Sequence, residues 1–229
     1  MSTDPGRTAE HEDAPAVDRL LALTDGVVAI ALTLLVLELK VPPLTDPNSA
    51  SELATQLGRD TDKLLSYLIS FYVIANFWLI HHRVFRQLTG QRESLAWWNF
   101  VFLFTISIMP FTSDLLGEYS ENPLAVSIFA VNLLLASLAT QVILEIGRRK
   151  GLTKPETDPR AARAGLLRSL GTFVVILASI GLAWVNTDAA KYCWLLIALV
   201  PYVVDRWLLR PAGPGSAPSS DAGRPPPGA

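Results

Sequence analysis

The chain has few of the residues from which catalytic and metal sites are usually built. It has one cysteine, Cys193, in 229 residues, so it can form neither an internal disulfide nor a thiolate cluster. It has three histidines, His11, His81 and His82. Adjacent helical positions diverge by roughly 100°, so His81 and His82 are poorly placed to share one metal ion. No Ser/His/Asp grouping, glycine-rich phosphate loop or nucleophile–base pair at matching depth is present, so neither enzyme chemistry nor a cofactor is expected. Charge is also scarce: 17% of residues carry one, against about a quarter in an average domain. The net charge is −2, which gives no basic surface for nucleic acid.

Apolar residues make up half of the chain, and mean hydropathy is +0.34. They fall into long uncharged runs, the pattern of a multi-span membrane protein, since a helix needs about 20 residues to cross the hydrocarbon core. Six spans are expected, giving an all-α membrane protein. They run from about Leu20 to Leu39, Leu64 to Ile80, Ser94 to Ser113, Asn122 to Leu144 and Ser169 to Thr187. The sixth is the shortest, Tyr192–Val204, and has to borrow flanking residues while Lys191, Asp205 and Arg206 reach for the interfaces. Five spans and an interfacial segment is the other reading of that stretch.

Residues 1–17 are polar and read as an unordered tail. The far end, 211–229, holds six of the 16 prolines and four of the 14 glycines and reads the same way. Residues 18–210 then form one six-span domain. Fifteen of the 19 Lys and Arg residues fall on one side of this topology. By the positive-inside rule both termini are cytoplasmic and the protein sits in the cell membrane. Trp97, Trp98, Trp184, Trp194 and Trp207 lie near span ends, as an interfacial aromatic belt requires.

Polar residues inside a span are costly and mark candidate functional positions. The first span holds the densest set. At roughly 100° per residue, Arg19, Leu23, Gly26, Thr33, Leu34 and Leu37 all lie within about 60° of Ile30. Asp25 lies about 140° away, so it faces helices of its own subunit. Spacing alone leaves the stripe open as a lipid-facing or packing surface, and Asp25 as a paired structural carboxylate. In the second span, one of His81 and His82 should enter the bundle and hydrogen-bond Asp25 or Asn99. In the third, Pro110 kinks or ends the helix, with Thr105 and Ser107 available to satisfy the carbonyl it frees.

Arg19-x-x-x-Leu23-Thr24-Asp25-Gly26, followed by Ala29-Ile30 and Thr33-Leu34-Leu35-Val36-Leu37-Glu38, resembles the signature of the endosomal/lysosomal potassium channel family, of the transmembrane protein 175 type. The family pattern is Arg/Lys-x-x-x-Phe-Ser-Asp, with Leu23 here in place of Phe and Thr24 in place of Ser. The stretches Phe77-Trp78…His81-His82-Arg83 and Pro110-Phe111…Gly117-Glu118-Tyr119 are similar to the family as well. The resemblance implies a bacterial member that assembles as a homotetramer, with the first helix of each subunit lining a central pore for K+. It implies that Ile30, Leu34 and Leu37 form the apolar constrictions and that Thr33 supplies a ring of hydroxyls. Arg19, Thr24 and Asp25 would brace the cytoplasmic end through hydrogen bonds to the second and third spans.

The expected function is therefore passive permeation of K+ and other monovalent cations through a pore that closes by dewetting at apolar rings. The run Thr-Val-Gly-Tyr-Gly is missing, so no carbonyl filter is expected and selectivity should be modest. Glu38 falls beside the stripe near the outer mouth, where it either concentrates cations or pairs with Lys40. The alternative is a proton-coupled transporter using Asp25 with His81 or His82.

Overall fold

The computed structural model describes residues 5–90, 92–154 and 159–208. Helix α1 spans Pro5–Leu34 and passes into a 3-10 turn at Leu35–Glu38. After a loop come α2 (Ala50–Arg59), α3 (Thr61–Phe85), α4 (Glu93–Glu118), α5 (Pro123–Arg149), α6 (Pro159–Ala183), α7 (Thr187–Cys193) and α8 (Leu196–Leu208). Among the described residues no strand forms. Five helical stretches are long and apolar enough to cross a membrane: Val17–Glu38, Thr61–Phe85, Glu93–Glu118, Pro123–Arg149 and Arg163–Ala183.

The packing follows from where small and capping residues fall. The α4–α5 link is short because Asn122 caps α5, its side chain accepting from the Leu124 N–H, with Pro123 opening the helix. Ala130, Ala136 and Ala139 on α5 are fully buried. Small side chains let helix backbones approach closely in lipid, where packing replaces the hydrophobic effect as the associating force. Helix α1 lies on α3 and α4, contributing Val28, Ala31 and Leu35 to a core with Val73, Phe77, Phe102 and Ile106. A second cluster, of Val17, Leu20, Val84, Phe85, Leu88, Leu95 and Ile143, closes the other end. There α5 stops at Gly151, whose φ of 67° suits a residue without a side chain. Gly151 N–H donates to the Arg148 carbonyl and Leu152 N–H to the Gly147 carbonyl, which satisfies two of the carbonyls at the helix end.

Several expectations need correction. Helix α1 starts at Pro5, so helical backbone occupies most of the segment read as an unordered tail; Arg7, Ala9, Glu10 and Ala14 are residue types compatible with that. The tail at 211–229 lies outside the described residues. The sixth span is interrupted: Thr187–Cys193 and Leu196–Leu208 are separate helices, bridged by tighter i→i+3 bonds such as Leu195 N–H to the Tyr192 carbonyl. Two side chains assigned to the membrane surface turn inward there. Trp194 is fully buried, donates from Nε1 to Ser179 Oγ at 2.9 Å and packs on Phe129. Lys191 is 2% exposed, pairs with Asp188 at 2.8 Å and donates to the Ser120 carbonyl. A buried ammonium needs such partners, and the α4–α5 corner supplies one of them. Trp97 and Trp184 are exposed, as a belt requires. Pro110 does not end α4, which continues to Glu118. Thr105 and Ser107 donate to the Phe102 and Leu103 carbonyls, so neither satisfies the carbonyl that Pro110 frees.

Candidate functional site

The two faces of α1 are occupied differently. Val17, Leu20, Thr24, Val28, Ala31 and Leu35 are buried against α3 and α4. Arg19, Leu23, Gly26, Ile30, Thr33, Leu34 and Leu37 are all exposed. This is the stripe that helical spacing groups together, and its own subunit leaves it uncovered. Ile30 is 60% exposed and Leu37 70%.

The last turn departs from the expected α-helix. Over Leu35–Glu38 the backbone is 3-10, in which residues i and i+3 eclipse. That geometry sets Leu37 in line with Leu34, where a regular α-helix would hold the two about 60° apart within the same stripe. Thr33 Oγ1 donates to the Ile30 carbonyl at 2.8 Å. Its proton is thereby committed, while its oxygen lone pairs still point outward as acceptors. Glu38 is half-buried and set against Ser113 and Asp114 of α4 rather than paired with Lys40. The positive charge of Lys40 acts on Glu118, which is bound to Lys63 at 2.7 Å.

The polar groups on the buried side form a directed chain. Thr24 Oγ1 has one proton and lies 2.9 Å from the Leu20 carbonyl, to which it donates. It therefore accepts from Asn99 Nδ2 at 3.2 Å. That orientation turns Asn99 Oδ1 toward His81 Nε2, 2.8 Å away, so Nε2 is the donor of that bond. Thr24, His81 and Asn99 are all fully buried, and the His81 ring lies between Phe85 and Phe102 at 4.3 and 4.4 Å. The chain joins α3 through α4 to α1 at the arginine-rich end.

Of the two histidines, His81 is thus the one that enters the bundle. His82 is half-buried and lies against Trp78 at 5.4 Å. Asp25 does face its own subunit, but its partner is Trp78 Nε1 at 2.7 Å. Among the described residues no hydrogen bond joins Asp25 to either histidine, so the Asp/His relay of the proton-coupled alternative is not assembled. Arg19 also differs from expectation. It lies on the exposed stripe, turned away from α3 and α4, and makes no hydrogen bond or ion pair to another described residue. Leu23 shares that exposed face at 43%. Trp78 is the site residue that sequence reasoning missed. Its signal was an indole N–H in an apolar span, which needs an acceptor and has an uncommitted carboxylate on the facing helix.

Residues 19–110 match a family model described as endosomal/lysosomal potassium channel TMEM175. A potassium channel of Streptomyces collinus is 32% identical over 79% of this chain and 89% of its own length. The human endosomal/lysosomal proton channel TMEM175 is 28% identical over 56% of this chain, which corresponds to 25% of the human protein. The fold is similar to the crystal structure of a lysosomal potassium-selective channel TMEM175 homologue from Chamaesiphon minutus. The TM-score is 0.70 at 24% identity, covering 83% of this chain and 99% of that one.

Proposed function

This chain belongs to the endosomal/lysosomal potassium channel TMEM175 family, and on that footing we propose that it conducts K+ passively through a central pore lined by α1. Four copies assemble around the axis, both termini are cytoplasmic, and the protein resides in the cell membrane. Ile30, Leu34 and Leu37 form stacked apolar rings. A hydrated cation loses water at such a ring without compensation, so the closed pore is a dewetted one. A small rotation or spreading of α1 widens the rings, and the Thr33 oxygens then offer acceptors between them. With no carbonyl cage, discrimination among monovalent cations is modest. Arg19, unpaired to any described residue of its own chain, reaches a neighbouring subunit in the assembly.

The observation that supports this reading is the composition of the uncovered face of α1. Exposed glycine or hydroxyl residues occur on other membrane-length helices too, but singly, as Ser107 beside Trp97, Phe100, Phe104 and Phe111 on α4, or Gly181 beside Val174, Leu177 and Trp184 on α6. The α1 stripe instead mixes Ile30, Leu34 and Leu37 with Gly26 and Thr33, and nothing lies within 4 Å of where a Gly26 side chain would begin. Along an ion path a glycine gives room and a hydroxyl oxygen gives an acceptor. The test is K+ current through purified protein in planar bilayers. Ile30→Ala and Leu34→Ala should each raise the current several-fold by widening a ring. Unchanged current and selectivity in both variants would overturn the assignment of α1 to the pore.

A further inference from the structure

A cleft lies between α3, α5, α6 and α8 at the arginine-rich end, on residues that take no part in the α1 stripe. Its lining is graded along the membrane normal. Towards the end of the bundle stand Arg83, Val84, Gln87, Leu144 and Arg168, with Gln141 one turn deeper than Leu144 on α5. One to two turns deeper the walls are Phe77, Ile80, Thr172 and Pro201. Three of the four hydroxyls in the lining are committed: Thr140, Ser169 and Thr172 donate to the carbonyls of Ala136, Gly165 and Arg168, while Ser137 makes no hydrogen bond to another described residue. The donors that face an incoming anion at the shallow end are therefore the Arg83 guanidinium and the Gln87 amide, with the Gln141 amide below them. Arg83 is exposed and makes no ion pair or hydrogen bond to another described residue through its side chain. Gly165 lines the same cleft, and nothing lies within 4 Å of where its side chain would start.

We propose that this cleft binds a phospholipid of net negative charge, its phosphate held at Arg83 and an acyl chain laid along Phe77 and Ile80. A cationic, donor-rich rim over an apolar floor matches an amphiphile with an anionic head, and guanidinium groups bind phosphate oxygens through paired N–H donors. A zwitterionic head carries its own cation to the rim and loses most of that attraction. Free phosphate would meet the rim and leave the floor empty. The proposal does not depend on which helix lines the pore.

Thermal unfolding of the full chain in an uncharged detergent tests it, with added phosphatidylglycerol, phosphatidylcholine of the same acyl chains, or inorganic phosphate. Phosphatidylglycerol should raise the midpoint by several degrees more than phosphatidylcholine, and inorganic phosphate should leave it unmoved. Arg83→Gln should remove at least half of the phosphatidylglycerol-specific increment. Gly165→Leu keeps every charge but fills the cleft, and it should abolish that increment. If one variant does not fold, the other decides the matter. Equal increments from the two lipids, an increment reproduced by inorganic phosphate, or a phosphatidylglycerol increment untouched by the folded variants would overturn the proposal.

Discussion

On one face of α1, Thr24, Val28, Ala31 and Leu35 are each at most 3% exposed; on the other, Ile30 and Leu37 are 60% and 70% exposed. The faces differ in chemistry as well as in cover. The covered face carries Thr24, which must find hydrogen-bond partners inside the protein because lipid offers none. The uncovered face is mainly isoleucine, leucine and alanine, and its hydroxyl, Thr33, finds an acceptor in its own helix at the Ile30 carbonyl. In a membrane, therefore, the polar residue fixes which side of a helix its own subunit claims, and the apolar side is left for assembly to decide. In water the assignment would run the other way, with the leucines driving burial.

The variants that break this comparison most severely act on the covered face. Asn99→Leu removes the link between His81 Nε2 and Thr24 Oγ1 and leaves a buried donor without an acceptor. It should cost on the order of 2–4 kcal/mol, read as a fall in the detergent unfolding midpoint. Trp78→Phe is next. It strips Asp25 of its hydrogen bond while nearly preserving the packing volume, at about 1–3 kcal/mol, since Asp25 is half-buried. On the uncovered face, Ile30→Ala should change the unfolding midpoint by less than the equivalent of about 1 kcal/mol while changing K+ current, because its side chain meets little of its own subunit. If Ile30→Ala destabilises as strongly as Asn99→Leu, the two faces are not the distinct surfaces described.

The smallest expected effect lies beyond the helix, in the loop that follows it. Glu52 accepts from the Thr45 and Asp46 amides, at 2.8 and 3.0 Å, which holds its carboxyl below the usual range. A lowered carboxyl stabilises the loop when ionised, so the effect is present at neutral pH and fades as pH falls through and below the usual carboxylate range. Amide hydrogen exchange at Thr45 and Asp46 should quicken under acid and in Glu52→Gln, with pore current unchanged.

Much of this was legible in the sequence for a definite reason. The stripe of Leu23, Gly26, Ile30, Thr33, Leu34 and Leu37 is a matter of 3.6-residue periodicity, which a chain carries on its face, and the first five expected spans all correspond to helical stretches long and apolar enough to cross a membrane. Asn99 and one histidine were recognisable as needing partners because a span leaves polar groups few choices. Pairings across large sequence separation were not legible. Trp78 and Asp25 are 53 positions apart, and nothing local says that they meet. Lys191 and Trp194 were read as interfacial because charged and amphipathic side chains near a span end usually are. The Ser120 carbonyl and Ser179 hydroxyl that draw them inward belong to other helices and corners. The 3-10 turn at Leu35–Glu38 has no mark in the sequence, and it narrows the angle between Leu34 and Leu37 within the stripe.

The central claim is that the uncovered face of α1 meets its symmetry mates at a shared axis. Replacing Leu37 with cysteine, in a background where Cys193 is serine, tests it most directly, because Cys193 is the sole native thiol. Mild oxidation of the Leu37→Cys protein in membranes should yield covalent dimers, and the same substitution at the exposed Leu170 on α6 should yield none. Dimers from Leu170→Cys and none from Leu37→Cys would place α1 away from the axis and contradict the account.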